Sequence, residues 1–325
     1  MPVGNPVHPE LLLVGSVGLQ SAEEVFRAVS GSIGDRVRRI PDGETGARTL
    51  WVYWPRKVLE CNGAFEIDPE EGARGTRATT AVEGIRRWIG NEAAPQGQPP
   101  PPRMRLRNGV DPNEVKLDAL GYAEVAAESY AIFRRLRDQG VIQRGVKFQV
   151  SLPTTAAFLN AHVVYPHHHL IEPLYREKLL GEVRDMAKAI DPADLAVQWD
   201  VSTEMGQWEG VRHAYFADVK QGVLERLALH CEAVPADVEL GIHLCYGDYG
   251  HKHWMEPKST ANMVEVYNGL APLVRRRIDW LHMPVPRERD DEAYYRPSPC
   301  PAPRRATFPG RAARSDDDAD RPREH

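Results

Sequence analysis

The chain has 325 residues, of which 42% are hydrophobic and 27% are charged, which is enough for one large α/β domain or two small ones. The formal net charge of −5 argues against a basic surface that binds nucleic acid or an anionic membrane. No apolar run approaches the roughly 20 residues that span a bilayer, and the four cysteines lack a disulfide-like spacing. We therefore expect a reducing, cytoplasmic compartment and a small-molecule partner.

Strands that alternate with helices are predicted along most of the chain. The predicted strands span residues 11–18, 36–40, 104–110, 146–153, 195–201, 238–245 and 278–283. The first predicted helix begins after a capping serine, Ser21, and further helices span 49–59, 119–139, 170–190, 216–234 and 259–273. The predicted strands are apolar rather than alternating, which is typical of parallel strands that are buried on both faces.

About seven strand–helix repeats predict an α/β fold, a (β/α)8 TIM-type barrel. Polar residues follow the predicted strands, where the active sites of such barrels lie; they are Ser16, Glu44, Thr154, Asp200, Cys245 and His282. A doubly wound open sheet is the alternative, which the lack of a glycine fingerprint after the first strand weakens. Residues 1–296 are assigned to the barrel, with an irregular insertion at 61–102.

The chain after Val285 differs in kind, because it contains no Ile, Leu, Val or Met. Residues 297–325 are mostly Pro, Arg, Ala and Asp, and such a composition cannot bury enough apolar surface to fold. The barrel should therefore lack a proper eighth β/α unit. We expect 297–325 to be a disordered tail, read out of frame from near Pro297. The alternative is a natural tail on a barrel that closes with seven strands or through a partner.

His243 and Cys245 stand two residues apart on a predicted strand, so their side chains point to the same side. A thiolate and an imidazole that converge in this way make half of a tetrahedral zinc site. His-x-Cys is less specific than a paired Cys-x-x-Cys, and the alternative is a buried thiol beside a hydrogen-bonded histidine. Asp248 follows in the next loop, where it could add a ligand or belong to a polar rim.

Two carboxylates are further candidates. Asp200 ends an apolar strand, where a carboxylate can bind a substrate amine or act as a base. A structural salt bridge or a helix cap is the alternative for Asp200. Glu44 lies in the glycine-flanked loop Asp42-Gly43-Glu44-Thr45-Gly46, as a loop acid or as part of a simple turn.

Four motifs occur in order along the chain, each after a predicted strand. They are Val14-Gly15-Ser16, Gly43-Glu44 followed by Arg48, Val197-Gln198-Trp199-Asp200, and His243-Leu244-Cys245-Tyr246-Gly247-Asp248-Tyr249. Together they resemble the catalytic barrel of cobalamin-independent methionine synthase, and the superfamily that this barrel shares with uroporphyrinogen decarboxylase. The resemblance runs through most of residues 11–285.

The resemblance implies a role for each motif. In that family the serine region binds the homocysteine carboxylate, the glutamate contacts the substrate and the aspartate takes the substrate amine. Ser16, Glu44 and Asp200 would be the substrate-binding residues here, and Asp200 and Asp248 the catalytic ones. His243 and Cys245 would be two zinc ligands.

The sequence also departs from the family. The third zinc ligand of the family is a glutamate at the end of the seventh strand, and His282 is the replacement here. The fourth ligand, a cysteine on the eighth strand, falls in the region that the proline- and arginine-rich tail replaces. The tryptophan that would stack on folate is not found after the fourth strand, and the folate-binding half of the family is absent from this sequence.

The resemblance therefore predicts a zinc-dependent enzyme that transfers a methyl or other alkyl group to a thiol, as 5-methyltetrahydrofolate–homocysteine S-methyltransferases do. The metal ligands would be His243, Cys245 and His282, and the partners a small-molecule thiol and a methyl donor. A metal-free decarboxylase or lyase of the uroporphyrinogen decarboxylase type, with Asp200 as acid or base, is one alternative. An inactive relative without the eighth unit is the other. The identities of the donor and the acceptor and the oligomeric state stay open.

Overall fold

The computed structural model describes residues 10–49, 51–73, 101–247 and 253–296. Its strands are β1 (Arg39–Pro41), β2 (Phe65–Ile67), β3 (Met104–Leu106), β4 (Lys147–Pro153), β5 (Leu195–Val201), β6 (Glu239–Leu244) and β7 (Trp280–His282). Its α-helices are α1 (Ala22–Ile33), α2 (Lys57–Glu60), α3 (Pro69–Ala73), α4 (Tyr122–Asp138), α5 (Thr155–His162), α6 (His168–Ala189), α7 (Thr203–Trp208), α8 (Val219–Ala233), α9 (Ala261–Leu270) and α10 (Glu292–Tyr295). None of the helices in these ranges is long and apolar enough to cross a membrane.

A five-stranded sheet in the order β1-β4-β5-β6-β7 forms the centre, and all of its strands are parallel. The sheet curls into half a barrel. The curl brings side chains of its two edge strands into contact. The guanidinium of Arg39 on β1 lies 4.1 Å from the ring centroid of Trp280 on β7. Arg39 also donates to Glu239 on β6 over 2.6 Å. The α/β class with a parallel sheet is confirmed, and the architecture is consistent with part of a TIM-like barrel.

The outer face of the sheet is apolar and packs under helices. Phe148 on β4 contacts Phe26 of α1 and Phe133 of α4, with ring centroids 6.1 Å and 5.7 Å away. Trp199 on β5 is fully buried and donates its indole N–H to the carbonyl of His230 in α8 over 3.0 Å. Because side chains alternate along a strand, the residues between these point to the opposite, inner face.

The inner face is polar and is covered by the start of the chain. The carbonyl oxygen of Val14 accepts hydrogen bonds from Gln149, Ser151 and Gln198 over 3.1, 3.0 and 2.6 Å. The carbonyl of Leu13 accepts another from Gln149 over 2.9 Å. These side chains satisfy backbone groups that no strand partner satisfies there.

Three predicted elements are wrong in detail. Residues 11–18 do not form a strand: Leu11 makes a bridge to Val37, and the carbonyls of Leu13 and Val14 are bound by side chains of the inner face. Val17 instead donates its backbone N–H to the carbonyl of Gly43 over 3.0 Å. The predicted helix at 49–59 is reduced to turns and to α2, since Pro55 has no backbone N–H to donate. The predicted strand at 104–110 is the short β3, which pairs antiparallel with β2 in a separate two-stranded sheet.

The other predicted strands and long helices are confirmed within a few residues. Ser21 caps α1 as predicted, because its side chain accepts from the backbone N–H of Glu24. Two short helices that follow strand ends, α5 and α7, were not predicted. The tail at 297–325 and most of the insertion at 61–102 lie outside the described residues.

Candidate active site

The candidate residues meet at the carboxyl ends of the central strands. The strand register places Asp200 beside His243, and His243 beside His282, in one row across β5, β6 and β7. Cys245 stands two residues beyond His243, just past the end of β6. Parallel strands all present their carboxyl ends at one edge of a sheet, which is where α/β enzymes bind their ligands.

Glu44 reaches this edge from the loop after β1. Its backbone has a φ of 53°, in the left-handed region that residues other than glycine rarely adopt, and no other non-glycine residue of the described ranges does so. Ser16 donates a hydrogen bond to one of its carboxylate oxygens. A Cβ atom on Gly15 would lie 2.7 Å from the other oxygen, so a larger residue there would displace the carboxyl group of Glu44. Backbone strain such as that of Glu44 is typical of functional sites.

Both carboxyl groups of the site have raised pKa values. Burial raises the pKa of Glu44 from 4.5 to about 7, against the lowering effect of the Ser16 hydrogen bond. Burial and the charge of Glu44 raise the pKa of Asp200 well above its ordinary value. Two acids with raised pKa values near one another are a common feature of proton-transfer sites.

A small cleft lies beside Glu44. It has a volume of about 30 Å³ and is lined in part by Arg48, Trp51, Trp54 and Tyr122. Arg48 is paired with Asp42, and Asp42 accepts from the backbone N–H of Glu44 over 3.0 Å, which fixes the loop. A volume of this size holds only a few water molecules at most.

The imidazoles of His243 and His282 face each other, with their Nδ1 atoms 2.7 Å apart. Burial lowers the pKa of His243 to about 3, and burial also lowers the pKa of His282. Both rings are therefore neutral at pH 7, so one Nδ1 donates and the other accepts. Neutral imidazole is the form that binds zinc.

The three proposed ligands do not form a complete metal site. Within the ranges that the structure describes, no group of three His, Cys, Asp or Glu side chains is arranged to hold an ion. The Nδ1 atoms of His243 and His282 stand at hydrogen-bond distance, and Cys245 accepts from the backbone N–H of Gly247 over 3.1 Å. The donor types suit zinc, whereas a bound ion would require these side chains to rearrange. Asp248 lies outside the described residues.

Several residues of the site have no role predicted from the sequence. Gln149 and Ser151 on β4 and Gln198 on β5 are polar residues within mostly apolar runs. Trp280 on β7 donates its indole N–H to Gln198 over 3.2 Å. The sequence pattern that could have identified them is a polar residue at every second position. Such a pattern marks one face of a strand even where both faces are buried.

A second cavity lies behind the site, in the helical layer. It has a volume of about 20 Å³ and is lined in part by Asn160, Glu204, Arg226 and His230. Glu204 is only 2% exposed, and its Oε2 atom has no hydrogen-bond partner in the described structure. Burial raises the pKa of Glu204 from 4.5 to about 7. This carboxyl group is therefore a cost to stability when it is charged.

Comparison with known proteins gives one relevant similarity. The sequence matches no protein-family model and no curated protein. The structure is similar to the crystal structure of a Listeria monocytogenes protein provisionally assigned as a vitamin-B12-independent methionine synthase, with 11% identity and a TM-score of 0.37. The match covers 70% of this chain and 56% of that one, so this chain spans little more than half the length of the other protein.

That protein carries the name of the family that the four sequence motifs resemble. At 11% identity and a TM-score of 0.37, the similarity is distant. The functional proposals rest on residues of this chain and on the motifs that they form.

Proposed function

We propose that this protein transfers a methyl or other alkyl group to the sulfur of a small thiol, with zinc bound at the strand ends. The observation that carries the proposal is the convergence of His243 and His282 at the edge where Cys245 follows β6. The motif resemblance to cobalamin-independent methionine synthase supports the same chemistry. An acceptor of the homocysteine type, with a methyl donor such as a methylated folate, would be its substrates.

In this proposal His243 and Cys245 hold zinc, and His282 is the third ligand. Zinc would keep the acceptor sulfur as a thiolate at neutral pH, because a coordinating thiol loses its proton. The remaining residues bind and orient the acceptor. Asp200 takes the ammonium group, the region of Ser16 binds the carboxylate, and Glu44 contacts the acceptor. Asp248 completes the catalytic group.

The raised pKa of Asp200 is compatible with binding an ammonium group. A positive charge that enters beside a buried carboxyl group favours its ionised form and lowers its pKa. The residue is held by Gln198, which donates to its Oδ1 atom over 2.8 Å, and this bond also favours the ionised form. Asp200 thus becomes a carboxylate when the ligand that needs the charge is present.

Zinc content tests the proposal directly. We expect close to one zinc per chain in protein purified without chelator, and we expect Cys245→Ser to lose it, because the variant lacks the thiolate ligand. Cys61→Ser is the matched control, since Cys61 is exposed and lies outside the site. Wild-type protein without zinc by metal mass spectrometry would exclude the zinc mechanism.

A metal-free decarboxylase or lyase is the second candidate, and the carboxyl pair favours it. Glu44 is held in a strained backbone conformation, and both Glu44 and Asp200 have raised pKa values, so each can carry a proton near neutral pH. Under this alternative Asp200 is the acid or base and the two histidines bind substrate. Full activity in zinc-free protein, together with loss of activity in Asp200→Asn, would favour it over alkyl transfer.

A further inference from the structure

The side-chain amide of Gln198 has one possible orientation. Gln198 is fully buried on β5. Its Nε2 atom lies 2.6 Å from the carbonyl oxygen of Val14, which can only accept. Its Oε1 atom lies 3.2 Å from the indole nitrogen of Trp280, which can only donate. In an inverted amide, Oε1 would face the carbonyl oxygen of Val14, another acceptor, and Nε2 would face the N–H of Trp280, another donor. These two neighbours therefore fix the direction of the amide.

The fixed amide also fixes Asp200. The Nε2 atom of Gln198 donates to Oδ1 of Asp200 over 2.8 Å. Since an N–H group already engages that oxygen, Oδ2 keeps the greater accepting capacity for a ligand. The direction of the carboxyl group is therefore set by an amide whose own direction is set from β7.

Gly241 makes the contact from β7 possible. In the strand register Gly241 lies between Gln198 and Trp280, in the row one side-chain step below Asp200 and His243. A Cβ atom on Gly241 would overlap the indole ring of Trp280. The indole thus crosses β6 through the space that glycine leaves, as is typical of a glycine inside a strand. Arg39 covers the ring from β1, 4.1 Å from its centroid.

We propose that Gln198 is a positioning residue, held by Trp280 over Gly241, that aims Oδ2 of Asp200 at the ammonium group of an amine-bearing thiol. The inference deepens the proposed function and rests on Asp200 as the group that binds the amine. It assigns the specificity for an amine to three residues that do not touch the ligand. The discrimination between ligands with and without an amine should depend on the orientation of the Gln198 amide. A carboxylate binds an ammonium group well only when one of its oxygens points at that group.

The test uses two ligands that differ only in the amine: L-homocysteine, and 4-mercaptobutyrate, which lacks it. Calorimetry gives the Kd of each ligand for zinc-loaded wild-type protein and for Trp280→Phe, which keeps an aromatic ring under Arg39 and removes the N–H donor. We expect Trp280→Phe to raise the Kd for L-homocysteine about tenfold and to leave that for 4-mercaptobutyrate unchanged. Gly241→Ala, which displaces the indole, should show the same selective loss.

Trp208→Phe is the matched control. Trp208 also donates its indole N–H, to Glu265 over 3.3 Å, and also carries a cation, Lys220, over its ring. Its replacement likewise removes an N–H donor and keeps a ring under a cation, but outside the site, and should change neither Kd. Nuclear magnetic resonance of 15N-labelled glutamine side chains adds a readout without ligand, because Trp280→Phe should shift the Gln198 amide signals and speed their hydrogen exchange.

The possible results separate the inference from the proposed function. Equal weakening of both ligands in Trp280→Phe, or Gln198 signals that do not move, would overturn the positioning role and leave a merely structural one. If Asp200→Asn weakens L-homocysteine selectively while Trp280→Phe does not, only the positioning role fails. If wild-type protein binds both ligands equally and Asp200→Asn changes neither, the amine-binding role of Asp200 itself fails.

Discussion

The two faces of the central sheet come from the same strands but are held by different forces. The outer face, with Phe148 and Trp199, packs against helices through apolar contacts. The inner face, with Gln149, Gln198 and Asp200, is held by hydrogen bonds to one another and to the start of the chain. The outer face therefore contributes stability through buried area, whereas the inner face contributes direction, since hydrogen bonds require geometry and add little net energy.

Trp199→Ala should have the largest effect, because it removes the largest fully buried side chain of the outer face. We expect a loss of about 3–5 kcal/mol in the free energy of unfolding, from lost burial and from the cavity that remains. Urea denaturation with an unchanged m-value measures it. A loss below about 1 kcal/mol would show that apolar packing does not dominate that face.

Glu204→Gln should stabilise the protein in a pH-dependent way, since the helical layer behind the outer face tolerates a buried acid poorly. The pKa of Glu204 rises from 4.5 in the reference state to about 7 in the fold. The contribution of Glu204 to the free energy of unfolding is fully present below pH 4.5, where its carboxyl group is neutral. It is lost as the pH rises towards 7, because the fold disfavours the ionised form of the buried group. Above pH 7 the variant should be more stable by on the order of 3 kcal/mol.

The measurement is thermal or urea unfolding of both proteins at pH 5 and pH 8. Glu225→Gln removes a negative charge from an exposed position of α8 and is the control for net charge. Parallel stability curves for wild type and Glu204→Gln would contradict the prediction, because the buried carboxyl group would then titrate alike in the folded and unfolded chains.

Gln149→Met should have the smallest effect on stability, although Gln149 is as buried as the outer-face residues. The variant removes donors to the carbonyl oxygens of Leu13 and Val14, and Ser151 and Gln198 still donate to Val14. We expect a loss of about 1–2 kcal/mol, measured by urea denaturation. A loss as large as that of Trp199→Ala would remove the distinction between the two faces.

The outer face could be predicted from the sequence and the inner face only in part. Phe148 and Trp199 stand in apolar runs, and burial on both faces followed from those runs. The motifs placed Glu44, Asp200 and His243 at strand ends, as the structure does. The path of residues 11–18 could not be predicted, because it depends on Gln149 and Gln198, which are distant in sequence. Local pattern carries no information about a carbonyl bound by side chains far along the chain.

The missed contact between Gln198 and Trp280 has a similar cause. Each residue alone fits a buried strand, and Gly241 alone suggests only a bulge or a close approach. Their meaning comes from the register of three neighbouring strands, in which the three residues share one row. Register between parallel strands follows from the whole sheet and not from any segment of it.

The bond between Val14 and Gln198 has a consequence for the order of folding. The two residues are 184 positions apart, and Gln198 in turn needs Trp280. During synthesis residues 11–16 leave the ribosome long before Gln149 and Gln198 are made. They therefore have no native contacts with the inner face until those residues have been synthesised. Contacts of such long range form late and slowly, because the intervening loop must close first. The strand edge that carries the candidate site should therefore be the last part of the molecule to form its native contacts, after the helices have already packed on the other side.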